Sequence, residues 1–173
     1  LLLLTWPFRR STGRQRKIFY GHKEKKPASG FWAFTLVLLA LALSGYGMRE
    51  ALRVPPVREV RMQVPGLPDA LNGFRIAQLS DLHIGPTFGK AWLTDVVART
   101  DSLNPDLIVI TGDVVDGSPS RLEEDVAPLA DLKAKYGVIF APGNHEYYSG
   151  IQQWLPVFQR LDMHVLMNEN TQI

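Results

Sequence analysis

DLIVITGD, residues 106–113, runs through Leu107, Ile108, Val109 and Ile110 before closing on Thr111, Gly112 and Asp113. An unbroken apolar, largely β-branched run too short for a helix reads as a strand covered on both faces, the usual state of a strand inside a parallel sheet. Its neighbours fit. KAWLTDVVARTDSL (90–103) before it has helical spacing, with Trp92, Val96 and Val97 on one side, and RLEEDVAPLADLKAKY (121–136) after it is charged and partly helical, interrupted by Pro128. Outward from there, FRIAQLS (74–80), GVIFAPGN (137–144) and MHVLMN (163–168) read as further strands, and IQQWLPVFQRL (151–161) as a helix carrying Pro156. The order β-α-β-α-β-α-β predicts an α/β fold with a mostly parallel sheet and helices packed on it. Ahead of these elements lies a Pro-rich linker, residues 48–72, closed by an Asn72-Gly73 turn. Within it the alternation of VREVRMQV (57–64) predicts one more, half-exposed strand.

In such sheets the chemistry gathers in the loops at the carboxyl ends of the strands. Those loops are DLHIG (81–85), GDVVDG (112–117) and GNHEYY (143–148). Asp81 and His83, two apart on what reads as an extended segment, are expected to converge on one side of the strand exit. Asp113 follows a glycine that lets the chain turn sharply, and Asn144 offers a neutral oxygen in the corresponding place. One imidazole, two carboxylates and an amide oxygen form a ligand set without sulfur, suited to Mn²⁺, Fe or Zn²⁺, and Asp113 has two oxygens to share between two ions.

Each residue also has an ordinary reading. Asp81 suits a turn or helix cap, His83 a satisfied polar histidine, Asp116 the start of a turn with Gly117, and Gly-Asp or Gly-Asn any tight turn. Their recurrence after successive strands, with Asp81, Asp113 and Asn144 one βαβ unit apart, is what turn chemistry does not explain. Glu146 stays open between a solvated loop acid and a support for the site. Tyr147 and Tyr148 read as packing or pocket-wall residues. GPTFGKAW (85–92) is not a phosphate-binding loop: it is one spacer short before Gly89-Lys90 and has Ala91 where Ser or Thr would bind Mg²⁺.

The series D-x-H (Asp81, His83), G-D-x-x-D (Gly112, Asp113, Asp116) and G-N-H-E (Gly143 to Glu146) resembles that of the calcineurin-like metallophosphoesterases, in wording closest to their membrane-associated bacterial branch. The resemblance covers roughly residues 74–168. It implies half of a four-layer α/β/β/α sandwich, with residues 73–173 forming the N-terminal half of the domain. It further implies two divalent metal ions, the first held by Asp81 and His83, both bridged by Asp113, and the second held by Asn144. His145 would then serve not as a ligand but as the group that protonates or hydrogen-bonds the leaving oxygen, its ring oriented by Asp116. Two cations about 3.5–4 Å apart acidify a shared water and neutralise phosphoryl charge, so the arrangement suits phosphoester hydrolysis. The family also supplies at least two further His ligands, including a Gly-His-x-His motif. After His145 this chain has only His164, in an apolar strand pattern, and it reads as structural. The expectation is therefore that the remaining ligands lie beyond residue 173 and that these residues alone have little activity.

Charge is divided along the chain. Residues 1–47 hold eight Lys or Arg against one acid, Glu24, whereas the rest holds eleven basic and sixteen acidic residues. An acidic domain argues against a nucleic-acid partner, which needs positive charge on the folded surface. Residues 31–47, FWAFTLVLLALALSGYG, are uncharged, with Trp32 and Tyr46 near the ends. As a helix they extend roughly 25 Å, enough to span a modestly thinned bilayer. The positive-inside tendency then leaves residues 1–30 in the cytoplasm and the domain on the far side of the cell membrane. LLLLTWPF, which lacks a Met, reads as the end of an earlier membrane helix, and a cleaved signal peptide is the rival reading of the apolar run. Absence of Cys excludes thiolate metal ligands and a Cys nucleophile. Together these features predict a membrane-anchored metallophosphoesterase acting on a phosphodiester or pyrophosphate, with a lipid or envelope precursor as the candidate substrate. The rival is a non-catalytic membrane protein that binds metal or a phosphorylated ligand through the same fold. Oligomeric state is not legible.

Overall fold

The computed structural model describes residues 30–173. The basic segment before them, with the suggested earlier membrane helix, lies outside the described residues. Helix α1, Gly30–Ala51, extends the expected apolar segment by Met48–Ala51 and has no buried residue. By length and composition it suffices to cross a membrane.

After the linker come β1 (Ile76–Leu79), α2 (Lys90–Asp101), β2 (Leu107–Ile110), α3 (Pro119–Val126), β3 (Val138–Phe140), α4 (Asn144–Tyr148), α5 (Ile151–Arg160) and β4 (Met163–Val165). The strands form one parallel sheet in the order β1-β2-β3-β4. Every crossover steps in the same direction, and right-handed crossovers then bring all helices to the same face. Burial follows that rule. The register row Ala77, Ile108, Val138 and Met163 and the half-buried or buried row Leu79, Ile110, Phe140 and Val165 face the helices. Against them pack Leu93, Val96 and Val97 of α2, Leu122 and Val126 of α3, and Trp154, Val157 and Phe158 of α5. Full burial of each such side chain stabilises the fold by about 1.5–3 kcal/mol. Gln78, Val109, Ile139 and His164 form the intervening row on the other face, where Gln78 and His164 are exposed. His164 thus lies mid-strand on the open face of the sheet.

Two sequence readings change. Residues 57–64 form no strand and pair with nothing among the described residues, leaving Val60 and Met62 exposed at 77% and 79%. Alternation gives a strand its two faces, but a strand exists only where a neighbour takes its backbone hydrogen bonds. The linker is instead fixed nearer its start, where the Arg99 guanidinium donates to the carbonyls of Val54 and Pro55 at 3.3 and 3.0 Å. The other change is GNHEYY, which forms the short helix α4 immediately after β3. Pro128 marks the passage from α3 into the 3₁₀ turn Ala127–Asp131, and Pro156 is accommodated within α5 on its exposed side.

Candidate metal site at the strand exits

Beyond Leu79 and Ile110 the first two strands stop being regular, but their continuations stay joined. Asp81 N–H donates to Gly112 O, His83 N–H to Asp113 O, Ile84 N–H to Val114 O, and Asp116 N–H returns to Ile84 O. The path is not the extended one expected from the spacing of Asp81 and His83. Asp81, His83 and Asp113 have φ of 55°, 45° and 55°, the left-handed region that side chains with a Cβ enter at a cost. Three such residues in one loop pair require the surroundings to hold them.

Glycine supplies part of that hold. Gly112 (φ 83°) lies so close to Gly143 that a Cβ on it would overlap the Gly143 backbone, and a Cβ on Gly143 would overlap the backbone nitrogen and carboxylate of Asp113. Both glycines of the G-D and G-N pairs are needed for the second and third loops to touch. Across this contact the His145 backbone N–H donates to Asp113 Oδ1 at 3.0 Å.

Glu146 supplies another part, and its role escaped the sequence reading. Its side chain is fully buried. Oε2 accepts from the N–H groups of Gly143 (2.7 Å) and Asp113 (2.9 Å), and Oε1 from those of Val114 (2.6 Å) and Val115 (3.2 Å). Hydrogen bonds to a carboxylate are stronger than neutral ones, and a buried acid without them would be strongly destabilising. The available signal was an acid three residues after Gly143 at the helix start, the position from which a glutamate reaches back to the N-cap backbone N–H. Trp154 anchors the end of the same loop by donating Nε1–H to Gly117 O at 2.9 Å.

The reactive side chains meet above this scaffold. Nδ1 of His83 and Nδ1 of His145 both approach Asp116 Oδ1, at 3.1 and 2.5 Å, and the two rings pack edge to face with centroids 4.5 Å apart. An acceptor at Nδ1 favours the proton there and leaves Nε2 of the neutral ring with its lone pair. Asp116 therefore does more than begin a turn. His83 Nε2 lies 3.8 Å from Asp81 Oδ1, and Asp81 Oδ2 accepts from the Ser80 hydroxyl at 2.5 Å. One donor atom each from His83, Asp113 and His145 falls within 4.8 Å of the others. Asn144, the first residue of α4, is exposed beside them in sequence.

The electrostatics suit a cation. The hydrogen bond to Asp116 raises the His83 pKa above its ordinary value; burial opposes this, and the charges of Asp116, Asp113 and Asp81 add to the rise. Burial alone would raise the Asp116 carboxyl, but the hydrogen bonds from His83 and His145, with their charges, hold it below the usual carboxylate value. A site that favours a proton on an imidazole because carboxylates surround it also favours a divalent ion there. Imidazole and carboxylate donors at these separations fit Mn²⁺, Fe or Zn²⁺.

The sequence profile described as calcineurin-like phosphoesterase matches residues 74–172, the segment that builds the sheet and all three loops. The chain belongs to this family. Among relatives of this calcineurin-like phosphoesterase, a transmembrane protein with metallophosphoesterase domain from Danio rerio is 37% identical over 87% of the chain and 35% of its own length. A protein of the same description from Bos taurus is 38% identical over 79% of the chain and 31% of its own length. An uncharacterised metallophosphoesterase of Campylobacter jejuni is 32% identical over 79% of the chain and 36% of its own length. The chain thus spans about a third of the length of these relatives. No solved structure matches it significantly. Family membership assigns the domain to the metallophosphoesterases, His83, Asp113 and His145 form a group that could hold a metal ion, and α1 is long and apolar enough to cross a membrane.

Proposed function

We propose that the protein is a membrane-anchored hydrolase of phosphoesters that works with two divalent ions. The observation that carries this reading is the convergence of His83, Asp113 and His145 donors within 4.8 Å at the carboxyl end of a parallel sheet. Asp81 and His83 would hold one ion, Asp113 both, and Asn144 the other. Such ions supply Lewis-acid activation of water and of the phosphoryl oxygens. Asp113 Oδ1 accepts the His145 backbone N–H, leaving Oδ2 without that bond and available for coordination. His145, its Nδ1 turned to Asp116, presents Nε2, which in the doubly protonated ring gives a proton or hydrogen bond to the leaving oxygen. The donors named here are too few to fill two coordination shells, so water, substrate or residues outside these 173 complete them, and activity is proposed for the full-length protein.

The substrate proposed is a phosphodiester or pyrophosphate of a lipid or envelope precursor, met at the non-cytoplasmic membrane surface. Support comes from the apolar helix, the basic residues before it and the acidic domain after it. The acidic domain also disfavours a nucleic-acid substrate.

The distance between donors allows a second reading, in which His145 is itself a ligand. Full-length His145→Ala separates the two. As a proton donor, His145 should leave Mn²⁺ content unchanged while turnover of a bis(p-nitrophenyl) phosphate probe falls about 10²–10⁴-fold. Loss of metal along with turnover would establish the ligand reading. Failure of the metal-loaded parent to hydrolyse any phosphodiester, pyrophosphate or phosphomonoester would refute the hydrolase and leave a metal- or phosphate-binding protein.

A further inference from the structure

We infer that Glu146 is a positioning residue that sets the spacing of the metal donors by clamping the backbones of two loops onto one carboxylate. The inference rests on the metal-site reading and adds to it a residue that touches neither metal nor substrate. Asp113 comes from the loop after β2, whereas Asn144 and His145 come from the turn after β3. Side chains from two loops keep a fixed separation only if their backbones are fixed to each other.

Glu146 Oε2 makes that link directly, because it accepts one N–H from each loop, those of Asp113 and Gly143. Oε1 accepts the next two N–H groups, those of Val114 and Val115. Three consecutive N–H groups thus point at one side chain. That pattern holds the chain at Asp113 in its left-handed conformation (φ 55°), a region that aspartate tolerates better than most residues but that still costs energy without such support. The reciprocal bond from His145 N–H to Asp113 Oδ1 closes the link. Full burial keeps water from taking over any of these donors.

The chemistry requires both oxygens of a carboxylate. A glutamine at this position has one oxygen and one NH₂. Whichever way the amide is turned, the NH₂ faces two N–H donors, either the pair that joins the loops or the pair that fixes the residues after Asp113. An aspartate keeps two acceptor oxygens on a shorter stem.

The test is Mn²⁺ affinity in the full-length protein, measured by the electron paramagnetic resonance of free Mn²⁺, for wild type, Glu146→Gln and Glu146→Asp. Val97→Ala, a core change in α2, serves as a control for lost stability. Glu146→Gln is expected to weaken Mn²⁺ binding about 10–100-fold, as loss of a group that orients ligands does. Glu146→Asp should recover most of the loss, and Val97→Ala should bind like wild type. Folded Glu146→Gln that binds Mn²⁺ as tightly as wild type would overturn the inference, as would an equal loss in Val97→Ala. Should Glu146→Gln not fold, amide exchange in metal-free wild type decides: the amides of Asp113, Val114, Val115 and Gly143 should exchange slowly and together, and exchange at exposed-loop rates would overturn the clamp. A wild-type protein that binds no Mn²⁺ refutes the metal-site reading itself, and the positioning role falls with it.

Discussion

The two ends of the sheet use the same unusual backbone for different purposes. At the amino end, Asn104, Gly137 and Asp162 have positive φ (47°, 79° and 60°) in the turns leading into β2, β3 and β4. Asn104 and Asp162 lie just past the ends of α2 and α5, where a left-handed residue is a common way to stop a helix, and the residue types are those that tolerate it. A recess of about 510 Å³ opens here between Lys133, Lys135, Asp101 and Asp162, and the metal-type donor group found among the described residues, His83, Asp113 and His145, is not part of its lining. At the carboxyl end, Asp81, His83 and Asp113 take the same conformation with no helix to end. Here neighbouring loops hold the conformation, through the Gly112–Gly143 approach and the Glu146 carboxylate. At one end the backbone serves the chain's turns, and at the other it aims side chains.

That contrast breaks if disturbing the carboxyl end proves no more consequential than disturbing the amino end. Among the changes that compare the two ends, the largest expected effect is from Asp116→Asn in the full-length protein. Both imidazoles share Asp116 Oδ1, so Mn²⁺ affinity and turnover should fall about 10–100-fold while thermal stability changes little. Gly143→Ala comes next. Its new methyl meets the Asp113 backbone and carboxylate, and urea denaturation should show a loss on the order of 1–3 kcal/mol, with weakened Mn²⁺ binding. Gly137→Ala is the smallest. Its φ of 79° makes any side chain costly, but no atom lies within 4 Å of the new Cβ. The loss should be about 1 kcal/mol, with Mn²⁺ affinity unchanged. Equal effects of the two glycine changes on metal binding would remove the distinction between the ends.

The same distinction explains what could be read from the chain. DLIVITGD and its three companion runs identify the strands because a buried parallel strand leaves its mark in its own residues. Asp81, His83, Asp113, Asp116 and His145, which the structure brings together, could be read as a group because strand exits recur once per βαβ unit; Asn144 is expected with them, but no hydrogen bond joins its side chain to theirs among the described residues. The path of the loops was not, since left-handed Asp81 and His83 are imposed by partners about thirty residues away. Glu146 stayed open for the same reason: three of its four hydrogen bonds go to backbone groups 31–33 residues distant, and backbone groups carry no sequence mark. VREVRMQV shows the reverse error, a strand pattern without a strand to join. His164 reads as structural from its apolar surroundings, yet it is exposed on the sheet face away from the helices.

The most direct test of the metal-site account is Mn²⁺ titration of the full-length protein beside its Asp113→Asn variant, with phosphoester hydrolysis followed in the same samples after chelation and metal return. Asparagine keeps an oxygen for the His145 N–H and removes the charge at the centre of the donor set. The account predicts saturable Mn²⁺ binding and chelator-sensitive, restorable hydrolysis in the parent, with affinity and turnover both reduced at least about 100-fold in the variant. Equal Mn²⁺ binding by the two proteins, or hydrolysis indifferent to chelation, would contradict it.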